Sequence, residues 1–280
     1  MKELLQYAEM NHKAVGAFNV SNMEMIMGAV KAAEESNTPI ILQIAEARLN
    51  NSPLAYIGPM MVQAAREAKV KVAVHLDHGT TLDTLKEALS FGFTSVMFDG
   101  SKYPLEENIK RTNQVIEIAR KYNATIEAEL GVVGGKEGGN LEHKVKYTNS
   151  EEAKKFVQDT GVDALAVAIG NVHGHYVGKP QLNFDILKEI DNKVNTPLVL
   201  HGGSGISAVE FRKCIDFGVM KINIGTASFD ALTESAEKYL KTEGQHNYFS
   251  LNEKMVEGVY ENVLKCIYIF NNKEVLKCSI

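Results

Sequence analysis

The stretch HLDHG (75–79) places His75, Asp77 and His78 within four positions at the end of an apolar run. The same grouping recurs twice. His173 and His175 follow LAVAIGNV (165–172), and His201 stands inside PLVLHGGSG (197–205). Five of the eight histidines therefore sit at three such ends. Imidazoles converging from separate strands suit a zinc ion, which takes histidine nitrogen and keeps a fourth position open in catalytic sites. A ring of hydrogen-bonded histidines lining a mouth is the metal-free alternative. Alternation along a strand puts His75 and Asp77 on one face, with His78 the first residue to turn out of it. His78 is then the better placed ligand, and His75, one layer deeper, reads as a hydrogen-bonded core histidine. Spacing alone does not separate His173 from His175.

Two glycine-bearing loops have the composition of an anion site: HGGSG (201–205) and NIGT (223–226). Glycine lets backbone N–H groups approach a phosphate, and the serine and threonine hydroxyls add donors. Lys221, which shares a strand face with Asn223, is the one candidate for a Schiff-base lysine, and its setting reads as structural.

These groups need a frame that brings strand ends together. Short apolar runs at 15–20, 40–45, 72–77, 95–99, 125–130, 164–169, 198–201 and 219–224 have the pattern of strands buried on both faces. Helical patterns separate them at 23–35, 60–68, 82–90, 106–122, 150–160 and 184–192, with Thr81, Ser150 and Ser207 at N-cap positions. This alternation predicts a single (β/α)8 TIM barrel over 1–280, with further C-terminal helices at 227–242 and 251–270. An open doubly wound sheet is the alternative, but GAFNVSNMEM (16–25) lacks its glycine fingerprint. Barrels carry chemistry at the C-terminal ends of their strands and often bind phosphate in the loops after the last two, where both glycine loops fall.

Composition narrows the function. The net charge is −5 and the pI near 5.9, so no basic field exists to hold nucleic acid. No apolar run nears the ~20 residues of a membrane span, and MKELLQYAEM (1–10) lacks a signal-peptide core. Cys214, Cys266 and Cys278 are widely spaced and read as free thiols. A cytoplasmic protein with no membrane or nucleic-acid partner is expected.

The ordered motifs GAFNV (16–20), HLDHG, SVMFDGS (95–101), EAELGVVGG (127–135), LAVAIGNVHGHY (165–176), PLVLHGGSG and KINIGT (221–226) resemble the class II, metal-dependent ketose-bisphosphate aldolases of the fructose/tagatose-bisphosphate type. The resemblance implies His78, His173 and His201 as ligands of one catalytic Zn2+, leaving out His175. It implies Asp77 as the acid/base residue, and Glu137 as the group exchanging the carbon-bound proton. Gly174, Gly202, Ser204, Asn223 and Thr226 would hold the dihydroxyacetone phosphate end, and some of their carbonyls a monovalent cation, Na+ or K+. Asp99 and Glu129 match positions near an alternative metal site. The implied reaction is reversible aldol cleavage of a sugar phosphate by a homodimer or homotetramer. One departure bears on substrate. Relatives commonly carry an Asp-Pro-Arg motif between the last two helices, whereas TEGQHNYFSL (242–251) has no arginine. Arg48, just beyond the second strand, is the visible substitute for gripping a distal phosphate. A metal-dependent hydrolase on the same barrel is the alternative function, though it would need no phosphate anchor beside the metal.

Overall fold

The computed structural model describes residues 1–135 and 145–272. Eight parallel strands close a barrel in the order β1 (Val15–Asn19), β2 (Ile40–Ala45), β3 (Val72–Gly79), β4 (Ser95–Phe98), β5 (Thr125–Leu130), β7 (Ala164–Val167), β9 (Leu198–Leu200) and β10 (Val219–Ile224). β1 pairs with both β2 and β10, which completes the ring. The expected TIM barrel is the observed one. Two short strands outside the ring, β6 (Gly134–Gly135) and β8 (Val172–His173), form a separate parallel pair that the sequence pattern does not reveal.

Helices α2 (Met23–Glu35), α3 (Leu54–Glu67), α4 (Leu82–Ser90), α5 (Leu105–Arg120), α6 (Ser150–Thr160), α7 (Phe184–Asp191), α8 (Ala208–Asp216) and α9 (Thr226–Leu240) follow successive barrel strands. Their starts follow local chemistry. Thr81 caps α4, and Ser207 caps α8 in a reciprocal box with Glu210. At α6 the cap is Asn149 rather than Ser150, its side chain accepting from the N–H groups of Glu151 and Glu152. α3 begins six residues before the predicted start, because Pro59 lies inside the helix instead of opening it. α10 (Tyr248–Phe270) packs along α9 and α2. A β-carbon at Gly28 would lie 2.8 Å from the Val256 carbonyl, so α2 and α10 cross too closely for any larger residue.

The barrel interior is layered. At its N-terminal end, α1 (Lys2–Met10) acts as a plug, burying Leu4, Leu5 and Ala8 against Val15, Ile41, Ala73 and Val199. Each such leucine contributes roughly 1.5–3 kcal/mol of burial. Above this apolar floor the inward positions turn polar: Gln43, His75, Ser95, Glu127 and Lys221 are fully buried. The next residues on the same faces form the mouth.

Candidate active site

Asp77 and His78 are consecutive, yet both serve the mouth. β3 pairs with β4 as His75↔Ser95 and Leu76↔Val96, then skips to Gly79↔Phe98. The additional residue is a β-bulge, and His78 takes a left-handed backbone, φ 46°, to accommodate it. The bulge returns His78 to the side of Asp77, with His78 Nε2 3.9 Å from Asp77 Oδ1.

His173 and His201 arrive from β8 and the end of β9. Asn171 ties the segment between β7 and β8 to His201: its amide donates to the His201 carbonyl at 3.0 Å and its oxygen accepts from the Ile169 N–H at 2.8 Å. The ring of His78 meets those of His201 and His173 edge-on, with centroids 4.5 and 4.9 Å apart. Nitrogens of His78, His173 and His201 all lie within 4.8 Å of one another. His175, by contrast, has a side chain 77% exposed and faces Asp230.

The tautomers decide what this triad can hold. His78 Nδ1 lies 2.9 Å from Asp99 Oδ2, and His201 Nε2 lies 2.9 Å from Glu127 Oε1. A carboxylate only accepts, so both of these nitrogens carry hydrogen. Burial, then the neighbouring His78, holds His201 below its ordinary pKa; burial, then His78 and His201, does the same to His173. With His201 held neutral and its Nε2–H committed to Glu127, His201 Nδ1 is a lone-pair nitrogen, and it faces His78 Nε2 at 2.7 Å. Two ring nitrogens approach that closely only with a proton or a cation between them. The donor set of three imidazoles, two of them backed by carboxylates, fits zinc.

Asp77 sits beside the triad in a cage of amides. Its Oδ2 accepts from Asn19 and Gln43 at 3.1 and 3.0 Å, and its Oδ1 from Asn223 at 3.1 Å. Burial alone would raise its pKa, but His78, His201 and Lys221 together bring it well below the ordinary carboxylate range. Asp77 is thus an ionised acceptor with fixed orientation.

Glu127 is the residue that sequence reasoning missed. It shares the inward face of β5 with Glu129, so the alternation in EAEL carried the signal. Its Oε2 lies 2.8 Å from Lys221 Nζ, off the hydrogen-bond axis, so the contact is one of charge. Burial raises the Glu127 pKa, but Lys221 and the His201 hydrogen bond bring it down to about 2. Lys221 is therefore an ion-pair partner in the core, as its setting suggested. His75, bonded to Ser95 at 2.9 Å, is the core histidine expected, its pKa pushed down to about 3 by burial and then Lys221.

Asp99 and Glu129 also converge with His78 on a set of donors within 4.8 Å. Asp99 accepts from both the N–H and the hydroxyl of Ser101 as well as from His78, so it orients that ring.

The anion-binding candidates gather in one cleft. Gly174, Gly202, Ser204, Asn223 and Thr226 line it together with Asp77, His173 and Arg48. Its floor is the N-terminus of α9, whose positive dipole end favours an anion. Ser204 Oγ accepts from the Ala227 N–H at 3.0 Å, which fixes the serine loop against that helix. Gly202 has φ +63°, and a β-carbon there would lie 2.1 Å from the Val172 carbonyl oxygen. Tyr176, whose hydroxyl donates to the Gly202 carbonyl at 3.0 Å, braces the same loop. Arg48 lies with its guanidinium 5.5 Å from the ring of Phe229, one turn into α9. The turn after α9 supplies no arginine in compensation: Lys241 is paired with Glu237 at 3.0 Å, and Gln245 and His246 are exposed, with His246 against Tyr239. Glu137 lies outside the described residues, as does Cys278; Cys214 and Cys266 are buried free thiols. Among the described residues, no helix is long and apolar enough to cross a membrane.

Comparison with known proteins agrees with this geometry. The model of the family described as fructose-bisphosphate aldolase class-II matches residues 1–274. Over 269 residues the chain is 38% identical to a 6-phospho-5-dehydro-2-deoxy-D-gluconate aldolase of Halalkalibacterium halodurans, covering 94% of this chain and 92% of that one. Over 246 residues it is 39% identical to a fructose-bisphosphate aldolase of Staphylococcus aureus, covering 87% and 86%. The YdjI aldolase of Escherichia coli K12 superposes with a TM-score of 0.87 at 34% identity, over 98% of this chain and 97% of its own. The chain belongs to the class II fructose-bisphosphate aldolase family.

Proposed function

We propose that this aldolase cleaves a ketose 1-phosphate or 1,6-bisphosphate to dihydroxyacetone phosphate and an aldehyde, with one Zn2+ held by His78, His173 and His201. The observation that carries the reading is the single cleft in which Asp77 and His173 face the glycine-rich anion site at the α9 N-terminus. The names of the two curated relatives support the dihydroxyacetone phosphate half. Aldol cleavage of either named substrate, beside its ketone, releases that same three-carbon phosphate and differs only in the aldehyde.

Zinc, when bound, supplies Lewis-acid stabilisation of the negative charge that develops on the ketose oxygens as the carbon–carbon bond breaks. The remaining work falls to the chain. Ser204, Thr226 and the α9 N-terminus bind the phosphate, and Gly174 and Gly202 allow the backbone to approach it. Asp77, ionised and aimed by Asn19, Gln43 and Asn223, takes the proton of the hydroxyl on the carbon that becomes the aldehyde. It returns that proton to the aldehyde oxygen in condensation. The carbon-bound proton of the three-carbon fragment is assigned to Glu137, on the resemblance of the loop that carries it. Arg48 is assigned to anion binding in the same cleft. A monovalent cation at the glycine-loop carbonyls and a homodimeric or homotetrameric state complete the reading. Hydrolysis is set aside by family membership. The test is a substrate panel of fructose and tagatose bisphosphates beside the ketose 1-phosphates, followed by release of dihydroxyacetone phosphate with and without chelator. Release of no dihydroxyacetone phosphate from any of them overturns the reading.

A further inference from the structure

The mouth has two lobes, and His173 lines both. The first holds Asp77 and the α9 anion site; the second is bounded by Glu46, Thr80, Asp99, Ser101, Lys102 and Glu129. A substrate whose phosphate is anchored in the first lobe, with its reacting carbons beside Asp77 and the histidine triad, has the second lobe for its remaining carbons. The polar groups there are unequal. Both oxygens of Glu46 are engaged: Oε2 accepts from the backbone and hydroxyl of Thr80, and Oε1 from the hydroxyls of Thr81 and Thr84 at 2.9 Å each. Asp99 is engaged by His78 and Ser101. Lys102, exposed beside the Ser101 anchor, makes no ion pair with a described residue, and its ammonium lies 5.5 Å from the Tyr103 ring.

We infer that the aldehyde half of the substrate occupies the second lobe and that Lys102 is a specificity-determining residue for an anionic group, phosphate or carboxylate, at its far end. This rests on the reading that dihydroxyacetone phosphate occupies the first lobe. Arg48 and Lys102 then divide the work, since they line different lobes. An ammonium offers a point charge on a flexible stem, so it serves either anion, without the planar selectivity of an arginine fork.

The test runs the reaction in condensation with the zinc-loaded protein. One carbon–carbon bond forms, dihydroxyacetone phosphate loses a carbon-bound proton, and the aldehyde oxygen gains one. The acceptors are glyceraldehyde 3-phosphate, 3-oxopropanoate and uncharged glyceraldehyde. The unaltered protein should prefer at least one anionic acceptor over glyceraldehyde in kcat/KM. Lys102→Ala should lower that preference by about tenfold or more, and Lys102→Arg should retain most of it. The acceptor whose preference falls further identifies the anion. The KM for dihydroxyacetone phosphate should stay within about twofold in Lys102→Ala, whereas Arg48→Ala should raise it. A preference that is absent in the unaltered protein, or that survives Lys102→Ala within about threefold, overturns the assignment of Lys102. Failure of the unaltered protein to condense dihydroxyacetone phosphate with any acceptor overturns the parent reading, and the inference with it.

Discussion

Replacing Glu127 with glutamine removes one charge from the centre of the barrel and keeps the shape. Two structures depend on that charge: Lys221 Nζ at 2.8 Å and the His201 Nε2–H at 2.9 Å, with all three side chains fully buried. Leaving Lys221 buried without its partner costs about 3–5 kcal/mol. The lowered pKa of Glu127 points the same way. A carboxylate moved from 4.5 to about 2 contributes about 3 kcal/mol, present above pH ~4.5 and lost as the pH falls through the folded value. The metal site depends on the other oxygen. Losing a carboxylate behind a histidine ligand lowers metal affinity about 10–100-fold.

The two effects separate in a double variant. Glu127→Gln should lower both the unfolding free energy of the metal-free protein, read by urea titration, and its zinc affinity, read by competition with a chelating dye. Glu127→Gln with Lys221→Met removes the orphaned ammonium and should regain most of the stability while leaving zinc affinity low. Acid unfolding of the single variant should also have a shallower slope between pH ~4.5 and ~2, because one of the titrating groups is gone. A Glu127→Gln protein within 1 kcal/mol of the original, or a double variant with restored zinc affinity, would refute the division of labour between the two oxygens.

Chelation should abolish cleavage, Zn2+ or Co2+ should restore it, and metal analysis should find one zinc per chain; His175→Ala should leave the zinc content unchanged, since that ring is exposed and faces away. Asp77→Ala should remove cleavage while sparing proton exchange on dihydroxyacetone phosphate, and Glu137→Ala should suppress that exchange; isotope exchange with the roles reversed sinks both assignments. Because the turn after α9 lacks an arginine, ketose 1-phosphates should be cleaved within about tenfold of the bisphosphates, a gap of ~1.4 kcal/mol. A bisphosphate preference of about a thousandfold that survives both Arg48→Ala and Lys102→Ala would mean that a third group reads the distal phosphate.

The barrel was legible because its strands are short and apolar on both faces, a pattern that few other architectures produce. The histidine triad was legible because His78, His173 and His201 interrupt apolar runs at the ends of strands, where a polar ring needs a reason. The amides that aim Asp77 were not. Asn19 and Gln43 are uncharged residues in strands, and nothing local shows that their side chains meet 2.8 Å apart across β1 and β2. The plug was missed for a related reason. Leu4, Leu5 and Ala8 give α1 an ordinary amphipathic pattern, which says that a face is buried without saying against what. Only barrel closure supplies that surface. Glu127 is different, since its position was readable from alternation, and it was passed over because Glu129, nearer the mouth, matched a known pattern first.

The bulge in β3 explains why HLDHG can be compact and still supply both the proposed base and a proposed metal ligand. In a regular strand Asp77 would point into the barrel and His78 outward, among the residues that pack α4. A ligand on the inner face would then have to lie at 79, beyond the reach of the neighbouring mouth residues, or at 75, in the layer already closed by Ser95 and Lys221. Inserting one residue recovers the lost half-turn, at a cost of order 1–3 kcal/mol for a non-glycine residue with left-handed backbone. Histidine tolerates that region better than most, and here the ring is then held from both sides, by Asp99 at 2.9 Å and by His201 at 2.7 Å. A glycine at 78 would relieve the backbone and abolish the site. The strain is therefore retained at the one residue whose side chain needs the unusual direction, and His78 and Asp77 end 3.9 Å apart because of it.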